Sequence, residues 1–450
     1  MRVSIIGGGG YVGLCTGLGF AELGNDVRCV DVDRDKISKL CAGESPIYEQ
    51  GIDGMLRRNL KAGRIRFDSD LGPAVSESDV IFISVGTPTA MDGNADLSQV
   101  IAAAEEVAAH LNGYKVVVIK STVPVGTVEL VRGILNRNFT EGEDFDVVSN
   151  PEFLREGRAL YDFLYPSRIV IGSVSSRAQD VMKQLYAPLI EGSIVWDEEP
   201  PPPGRALPVP VVETDLASAQ MIKYACNAFL AARVSFINEI ASLCERVGAQ
   251  VGEVARGMGY DTRIGPSYLE AGVGFGGPCL EKDLQALIKI ADTAGYDANL
   301  LRAVMSRNDR QVEELIVKLK SLVGYLLYRK VIAVWGMAFK GGTSDVRNSQ
   351  ALKVIARLEE EGADVRAYDP VANDAAKALR GSLKTFDDPL EVVRQADVLL
   401  VLTDWPQFKE IDLDEVKRKM SHAVILDGRN LLDRRAAEAA GFRYSGVGVS

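Results

Sequence analysis

Residues 5–13 read IIGGGGYVG, and the order of residue types there decides the first fold. An apolar run, RVSIIG (2–7), ends in consecutive glycines, and a helical pattern over Val12–Leu23 opens directly behind them. Gly8, Gly10 and Gly13 satisfy G-x-G-x-x-G in this strand–turn–helix setting, although Gly7 and Gly9 also fit the first two positions one residue earlier. Such a turn lets bare backbone N–H groups meet a pyrophosphate at the positive end of a helix. Asp31 stands 18 residues beyond Gly13, in the second apolar run, DVRCVDVD (26–33). A carboxylate there accepts hydrogen bonds from ribose hydroxyls and repels a 2′-phosphate, so the motif predicts NAD, with Arg34 placed to soften the preference.

Working outward, SDVIFISVGTP (78–88), KVVVIKST (115–122) and FDVVSN (145–150) are nearly continuous in apolar character. Strands of a parallel sheet covered on both faces have this character. Helical patterns such as Val100–Leu111 lie between them, giving repeated β-α-β organisation and a doubly wound sheet. The same style returns in RKVIAVWGMAF (329–339), ADVRAYDP (363–370), ADVLLVLTD (396–404) and HAVILDGRN (422–430), without a full glycine fingerprint.

From Glu213 apolar residues recur at helical spacing for about 30 residues until Gly248, with Thr214 or Asp215 available as the N-cap. A helix of that length, roughly 45–50 Å, suits a spine between domains or a dimer contact. The expected architecture is α/β: two Rossmann-like doubly wound domains joined by a long central helix and helical region. The boundaries are 1–212 for the NAD-binding domain, 213–322 for the helical, dimerising domain with the cysteine loop, and 323–450 for the second α/β domain. WDEEPPPPGRALPVP (196–210) reads as a surface loop or polyproline segment, because four consecutive prolines fit neither a helix nor a central strand.

At 450 residues, 47% hydrophobic and 25% charged, the chain has room for two or three domains with real cores. A net charge of −11 argues against a nucleic-acid or anionic-membrane partner, while a small anion held by local donors remains compatible. No apolar run reaches the length of a membrane span, and the N-terminus reads as a strand entering a turn instead of a signal peptide. Cys15, Cys29, Cys41, Cys226, Cys244 and Cys279 form no CxxC pair. That pattern argues against a zinc site or disulfide framework and for a reducing compartment, hence the cytoplasm. Histidine is confined to His110 and His422, so proton chemistry falls to Lys, Asp, Glu or water.

Thr87 and Thr122 fall at the carboxyl ends of parallel strands, where this architecture places its ligand, though each also suits a helix cap. In NPEFLREG (150–157), Glu152 and Glu156 are four apart, and a helical turn would put both on one face. Lys223 and Asn227 interrupt the apolar stripe of the long helix at the same spacing. A lysine there suits a developing oxyanion, and the amide suits a hydroxyl or water. In GVGFGGPCLEKD (272–283) the glycines allow close backbone approach, and Lys282 and Asp283 bring charge within a turn of Cys279. A thiolate wants such surroundings, so Cys279 is the candidate nucleophile and the other five cysteines read as small buried hydrophobes.

YVGL, SVGTP, STVPVGT, NPEFLREG, MIKYACNAFLAARVSFINEI, RIGPSYLEAGVGFGGPC with KD behind it, GMAFKGGTSDVRNS and ILDGRN follow one another along essentially the whole chain. In that ordered set the sequence resembles the UDP-glucose/GDP-mannose dehydrogenase family. The resemblance implies a four-electron oxidation of a sugar 6-hydroxymethyl to a carboxylate, with two NAD reduced in turn, through a thiohemiacetal and a thioester on the cysteine. It implies a UDP-sugar substrate; RIGPSYL and ILDGRN favour UDP-glucose over GDP-mannose or an N-acetylated UDP-hexose.

On the matching positions the resemblance implies that Cys279 is the nucleophile, that Lys223 with Asn227 stabilises the oxyanion, and that Asp283 orders or deprotonates water, helped by Thr122 and Glu152. Val12, Asp31, Lys36, Thr87, Thr122, Glu156 and Lys282 face NAD beside Gly8, Gly10 and Gly13. The sugar nucleotide meets Phe153, Leu154, Arg155, Glu156, Lys223, Asn227, Tyr268, Gly276, Phe339, Lys340 and Arg347, the last two cations suiting a diphosphate. The resemblance further implies that Arg263 reaches the substrate of a neighbouring subunit in a homodimer or larger homo-oligomer. No metal is expected.

The chain departs from the family pattern around the cysteine, with Pro278 before it and Leu280-Glu281 after it, and Glu281 raises the thiol pKa if it points inward. KGGTSDVRNS also replaces the more usual Pro-Asn after the lysine. These departures bear on substrate choice and rate more than on reaction class. A two-electron hydroxyacid dehydrogenase would leave Cys279 and the last domain unexplained. A non-catalytic nucleotide-sugar sensor is at odds with keeping Cys279, Lys223 and Asp283 together.

Overall fold

A computed structural model describes residues 1–90, 94–196 and 199–449, which form two compact units divided after Cys226. The first unit is built on β1 (Arg2–Ile6), β2 (Asp26–Val30), β3 (Ile65–Asp68), β4 (Val80–Ile83), β5 (Lys115–Ile119), β6 (Phe145–Ser149), β7 (Ile169–Gly172) and β8 (Val211–Thr214). Their order in the sheet is β3-β2-β1-β4-β5-β6-β7-β8. Every residue of β4, β5 and β6 is buried, as continuous apolar runs require when helices cover both faces. Strand order reverses between β1 and β4, so the segments after β1, β4 and β5 meet at the switch point of a doubly wound sheet.

The sheet is not wholly parallel. β7 runs antiparallel to β6, and β8 runs parallel to β7. β7, IVIG, is a fully buried apolar run that was not foreseen as a strand, while β3 and β8 carry no continuous apolar run; β8, VVET, is partly exposed throughout. The helical pattern expected from Glu213 therefore starts later, at Leu216, and runs 32 residues to Val247. Asp215 caps it, accepting from the Ser218 N–H at 2.7 Å, and Gly248 ends it with φ +76°. Pro200–Pro203 belong to no helix or strand, while Asp197 and Glu198 of the same loop lie outside the described residues.

The second unit carries β9 (Val331–Trp335), β10 (Asp364–Tyr368), β11 (Lys384–Thr385), β12 (Val398–Val401), β13 (Val424–Asp427) and β14 (Arg443–Gly446). Their order is β11-β10-β9-β12-β13-β14, all parallel, which repeats the order of the first six strands of the other sheet. Helices precede this sheet in the chain, among them Leu280–Thr293 and Asn299–Val323. Ile237, Leu315 and Leu319 from the helical region share one core with Val334 and Leu400 of the strands. The fold is thus two Rossmann-like units joined through a long helix. Among the described residues no helix is long and apolar enough to cross a membrane, and no group of His, Cys, Asp and Glu is placed to hold a metal.

Candidate active site

The glycine turn settles its own register. Gly7 takes φ +78°, and the Gly7 and Gly8 amides both donate to the Val30 carbonyl at 2.9 Å. A Cβ at Gly13 would overlap the Gly7 carbonyl oxygen, so only glycine fits there, which selects Gly8, Gly10 and Gly13. The alternative register would have put Val12 in that place. Gly10 caps the helix Tyr11–Glu22 with no side chain, leaving the N-terminal amides open to an anion.

Asp31 stands half-buried just beyond β2, its Oδ2 accepting from Gly9 N at 3.0 Å and its Oδ1 from Asp33 N at 3.1 Å. Asp33 caps the next helix and lies 3.4 Å from the Lys36 ammonium. At the ends of β4 and β5, Thr87 Oγ1 donates to the Thr122 carbonyl at 2.8 Å, bringing those two predicted residues together. Bare backbone, an open helix terminus and an anchored carboxylate fit a dinucleotide with free ribose hydroxyls.

The segment after β6 corrects an expectation. Residues 151–155 form no helical turn, so Glu152 and Glu156 do not share a helix face. Pro151 lacks a backbone donor, the Glu152 carboxylate instead accepts from Leu154 N at 2.6 Å, and Gly157 adopts φ +79°. Glu152 meets Lys223 of the long helix: Nζ–Oε1 is 2.8 Å, and both side chains are buried. Burial pushes the Glu152 carboxyl up, but the Lys223 ammonium and the Leu154 amide outweigh it and hold the group below its ordinary value. Phe153 lies beneath the Lys223 and Arg168 cations, and Arg155 is exposed and paired with Asp162 at 2.6 Å.

Glu49 was not foreseen. It is buried, accepts from Gly157 N at 2.8 Å and Ala159 N at 2.7 Å, and is bonded to Tyr11 at the start of the cofactor-turn helix. It ties NPEFLREG to that turn.

In the second unit GVGFGGPC is a pinned cradle. Gly274 and Gly277 take φ +100° and +85°, and a Cβ on Gly276 would lie 2.6 Å from the Asn348 carbonyl. Four buried amides hold its backbone. Asn238 accepts from Gly272 N at 2.8 Å, and Gln311 donates to Gly272 O at 2.6 Å. Asn308 bonds both N and O of Phe275, at 2.8 and 3.0 Å, and Gln350 donates to the same carbonyl at 2.7 Å.

The chain then delivers Cys279, exposed, to the N-cap of the helix Leu280–Thr293, where the helix dipole favours a thiolate. Asp283 is buried, accepting from Asn227 Nδ2 at 2.6 Å and from Lys282 Nζ at 2.6 Å. Glu281 pairs with Lys353 at 3.1 Å. Of the other cysteines, Cys15, Cys29 and Cys244 are buried, but Cys41 is exposed at a helix end and Cys226 is half-buried, so the buried-filler reading fails for those two.

The remaining predicted contacts lie on loops of the second unit. Phe339 and Lys340 follow β9, with the Lys340 ammonium 5.7 Å from the Phe339 ring centre. Arg347 is exposed, its Nε 2.8 Å from Asp345 Oδ2, and Arg263 is likewise exposed and paired with Asp261. Tyr268 holds φ +61°, an uncommon conformation for an aromatic residue. Arg429 was missed: it donates to the Leu402 and Phe339 carbonyls at 2.9 and 2.8 Å and so braces the Lys340 loop. Asp369 occupies the position in this sheet that Asp31 holds in the other, but it is buried and accepts from the Met337 and Ala338 amides, at 2.7 and 2.9 Å, and from Trp405. Its carboxylate is spent on the fold, and this second turn lacks a free ribose acceptor.

Three family models match in sequence order. Residues 1–190 match the NAD binding domain of the UDP-glucose/GDP-mannose dehydrogenase family, 217–310 its central domain, and 333–434 its UDP binding domain. The chain belongs to this family. Like other members of the UDP-glucose/GDP-mannose dehydrogenase family, it uses NAD as its cofactor, through the first of these domains. It is 45% identical over 448 residues to the UDP-glucose 6-dehydrogenase TuaD of Bacillus subtilis (strain 168), covering 99% of this chain and 93% of that one. It is 44% identical over 451 residues to the UDP-glucose 6-dehydrogenase of Rhizobium meliloti (strain 1021), covering 100% and 99%. Among solved structures, a UDP-glucose dehydrogenase from the hyperthermophilic archaeon Pyrobaculum islandicum superposes with a TM-score of 0.88 at 36% identity, covering 100% and 98%.

Proposed function

We propose that this protein is an NAD-dependent UDP-glucose 6-dehydrogenase that carries the C6 hydroxymethyl through the aldehyde to the carboxylate of UDP-glucuronate. The observation that carries the reading is Cys279 itself, an exposed thiol at a helix N-terminus behind a backbone cradle fixed by four buried amides. The full-length likeness to UDP-glucose 6-dehydrogenases supports UDP-glucose as the substrate.

Bound NAD supplies the hydride acceptor for each of the two oxidations. The Cys279 sulfur adds to the C6 aldehyde, forming a C–S bond and a thiohemiacetal whose oxygen is stabilised by Lys223 and Asn227. Loss of hydride from that carbon leaves a thioester. Water, ordered by Asp283 with Thr122 and Glu152, breaks the C–S bond and returns the thiol as the acid leaves. Glu152, held ionised by Lys223, accepts a proton without being neutralised at rest. Cofactor contacts are assigned to Gly8, Gly10, Val12, Gly13, Asp31, Lys36, Thr87, Thr122, Glu156 and Lys282. Substrate contacts are assigned to Phe153–Glu156, Tyr268, Gly276, Phe339, Lys340 and Arg347.

The domain roles follow the same reading: 1–212 for NAD, 213–322 for dimerisation and the cysteine loop, 323–450 for the UDP-sugar. Phe229, Phe236 and Leu243 are 64%, 50% and 52% exposed at heptad spacing on the long helix, which suits a homodimer with Arg263 serving the neighbour's substrate. Six free cysteines suit the reducing cytoplasm.

The test is a panel of sugar nucleotides with NAD and purified protein. UDP-glucose should give the highest kcat/KM. Preference for GDP-mannose or an N-acetylated UDP-hexose would redirect the assignment, and binding without turnover would favour a sensor.

A further inference from the structure

Glu49 lies in the loop SPIYEQG (45–51), between the helices Arg34–Cys41 and Ile52–Lys61, and is 6% exposed. A carboxylate so far withdrawn from water is costly unless good donors meet it. The loop around it is fixed. Ser45 Oγ donates to the Ile47 carbonyl at 2.9 Å, Ile47 packs against the core of the first unit, and Gly51 opens the next helix at φ +77°. The Glu49 carboxylate reaches beyond that loop, to residues 108 and 110 positions further along the chain and to the cofactor turn. Oε1 accepts from Ala159 N at 2.7 Å, and Oε2 accepts from Gly157 N at 2.8 Å and from the Tyr11 hydroxyl. Gly157 N also donates to Tyr11 Oη at 2.6 Å, which closes a triangle of three groups.

Gly157 and Ala159 come directly after Phe153–Glu156, to which substrate and cofactor contacts are assigned above. Leu154 N and Arg155 N are held from within the same stretch of chain, by Glu152 at 2.6 Å and Asp162 at 2.9 Å. Gly157 N and Ala159 N are held from elsewhere in the fold, by Glu49 and Tyr11. Tyr11 is the first residue of the helix whose N-terminal amides suit a pyrophosphate, next to its N-cap Gly10. We propose that Glu49 is a positioning residue, one anchor that sets the affinity for both ligands by fixing the cofactor turn against the segment 153–159. The inference rests on the reading above for the sugar nucleotide, and on NAD binding alone for the cofactor. The physical reason is preorganisation: a segment already held in its bound shape loses less freedom when the ligand arrives.

The chemistry asks for a carboxylate at this place. Glutamine keeps the shape but offers one acceptor oxygen and an NH2 group, so Gly157 N or Ala159 N would face a donor. Tyr11→Phe removes only the hydroxyl and leaves both carboxylate–amide bonds in place. A role confined to folding would show in stability and leave the affinities of the folded protein where they are.

The test is calorimetry on the full-length protein, with NAD and UDP-glucose titrated separately so that no turnover occurs. In Glu49→Gln the Kd for UDP-glucose should rise about tenfold and that for NAD about threefold. Tyr11→Phe should weaken NAD by a similar factor, and in the double variant the two NAD losses should not add, because both break one bond. A lowered urea midpoint with both Kd values unchanged would make Glu49 structural only and overturn the proposal. Additive NAD losses would overturn the shared anchor. Should Glu49→Gln not fold, Tyr11→Phe decides alone: it should weaken both ligands, UDP-glucose through Gly157, and unchanged Kd values overturn the proposal. If wild type binds another sugar nucleotide of the panel in place of UDP-glucose, the substrate assignment fails and the same comparison is read with that ligand. The NAD titrations need no sugar and decide the cofactor side in either case.

Discussion

Lys223 Nζ lies 2.8 Å from Glu152 Oε1, with the two side chains 6% and 7% exposed. Removing one member of such a pair strands the other as an uncompensated buried charge, at about 3–5 kcal/mol. Glu152→Gln should therefore lower the stability of the first unit by several kcal/mol, about 3 as a lower figure, read by urea unfolding. The carboxyl sits below its ordinary value of 4.5 in the folded protein. Its contribution is complete above about pH 4.5 and is lost as pH falls through the folded value. Wild type should lose this increment on acidification and the Gln variant should not; parallel acid curves would count against the pairing.

Gly13→Ala tests the cofactor turn. A Cβ there overlaps the Gly7 carbonyl oxygen, which is backbone and cannot swing aside. NAD binding, followed by fluorescence titration, should weaken by at least about tenfold, roughly 1.4 kcal/mol. An unchanged Kd would mean the turn does not hold the pyrophosphate.

Lys353→Met tests the ion pair beside the thiol. Lys353 neutralises Glu281, two residues after Cys279. Without it, the carboxylate opposes the thiolate and the pH midpoint of iodoacetamide alkylation at Cys279 should rise by about one unit. Glu281→Gln in the same background should restore it. A midpoint unmoved in the single variant would show that Glu281 does not act on the sulfur.

Cys279→Ser should remove steady NADH formation while leaving UDP-glucose binding by calorimetry within about twofold, since a hydroxyl replaces the thiol without leaving a cavity. Normal turnover would refute the covalent route.

The strands that read clearly from the residue pattern were those buried on both faces, such as β4 and β5, where apolar character is continuous. β3 alternates over only four residues, β8 is half-exposed, and β11 has two residues, so none carries the continuous apolar run that marks the buried strands. Cys279, Lys223, Asn227 and Asp283 stood out because their types are costly or reactive where they fall. The residues that position them did not. Asn238, Asn308 and Gln311 look like the polar face of ordinary amphipathic helices, and only the folded chain shows each amide turned onto the glycine cradle. Glu49 was silent for the same reason: a charged residue between apolar runs reads as surface until its partners are known.

The most direct measurement is the stoichiometry of a single limiting charge of UDP-glucose run to completion with excess NAD. Four-electron oxidation through Cys279 predicts two NADH for each UDP-glucuronate formed, with no free aldehyde accumulating. One NADH per sugar, with the aldehyde as product, would contradict it.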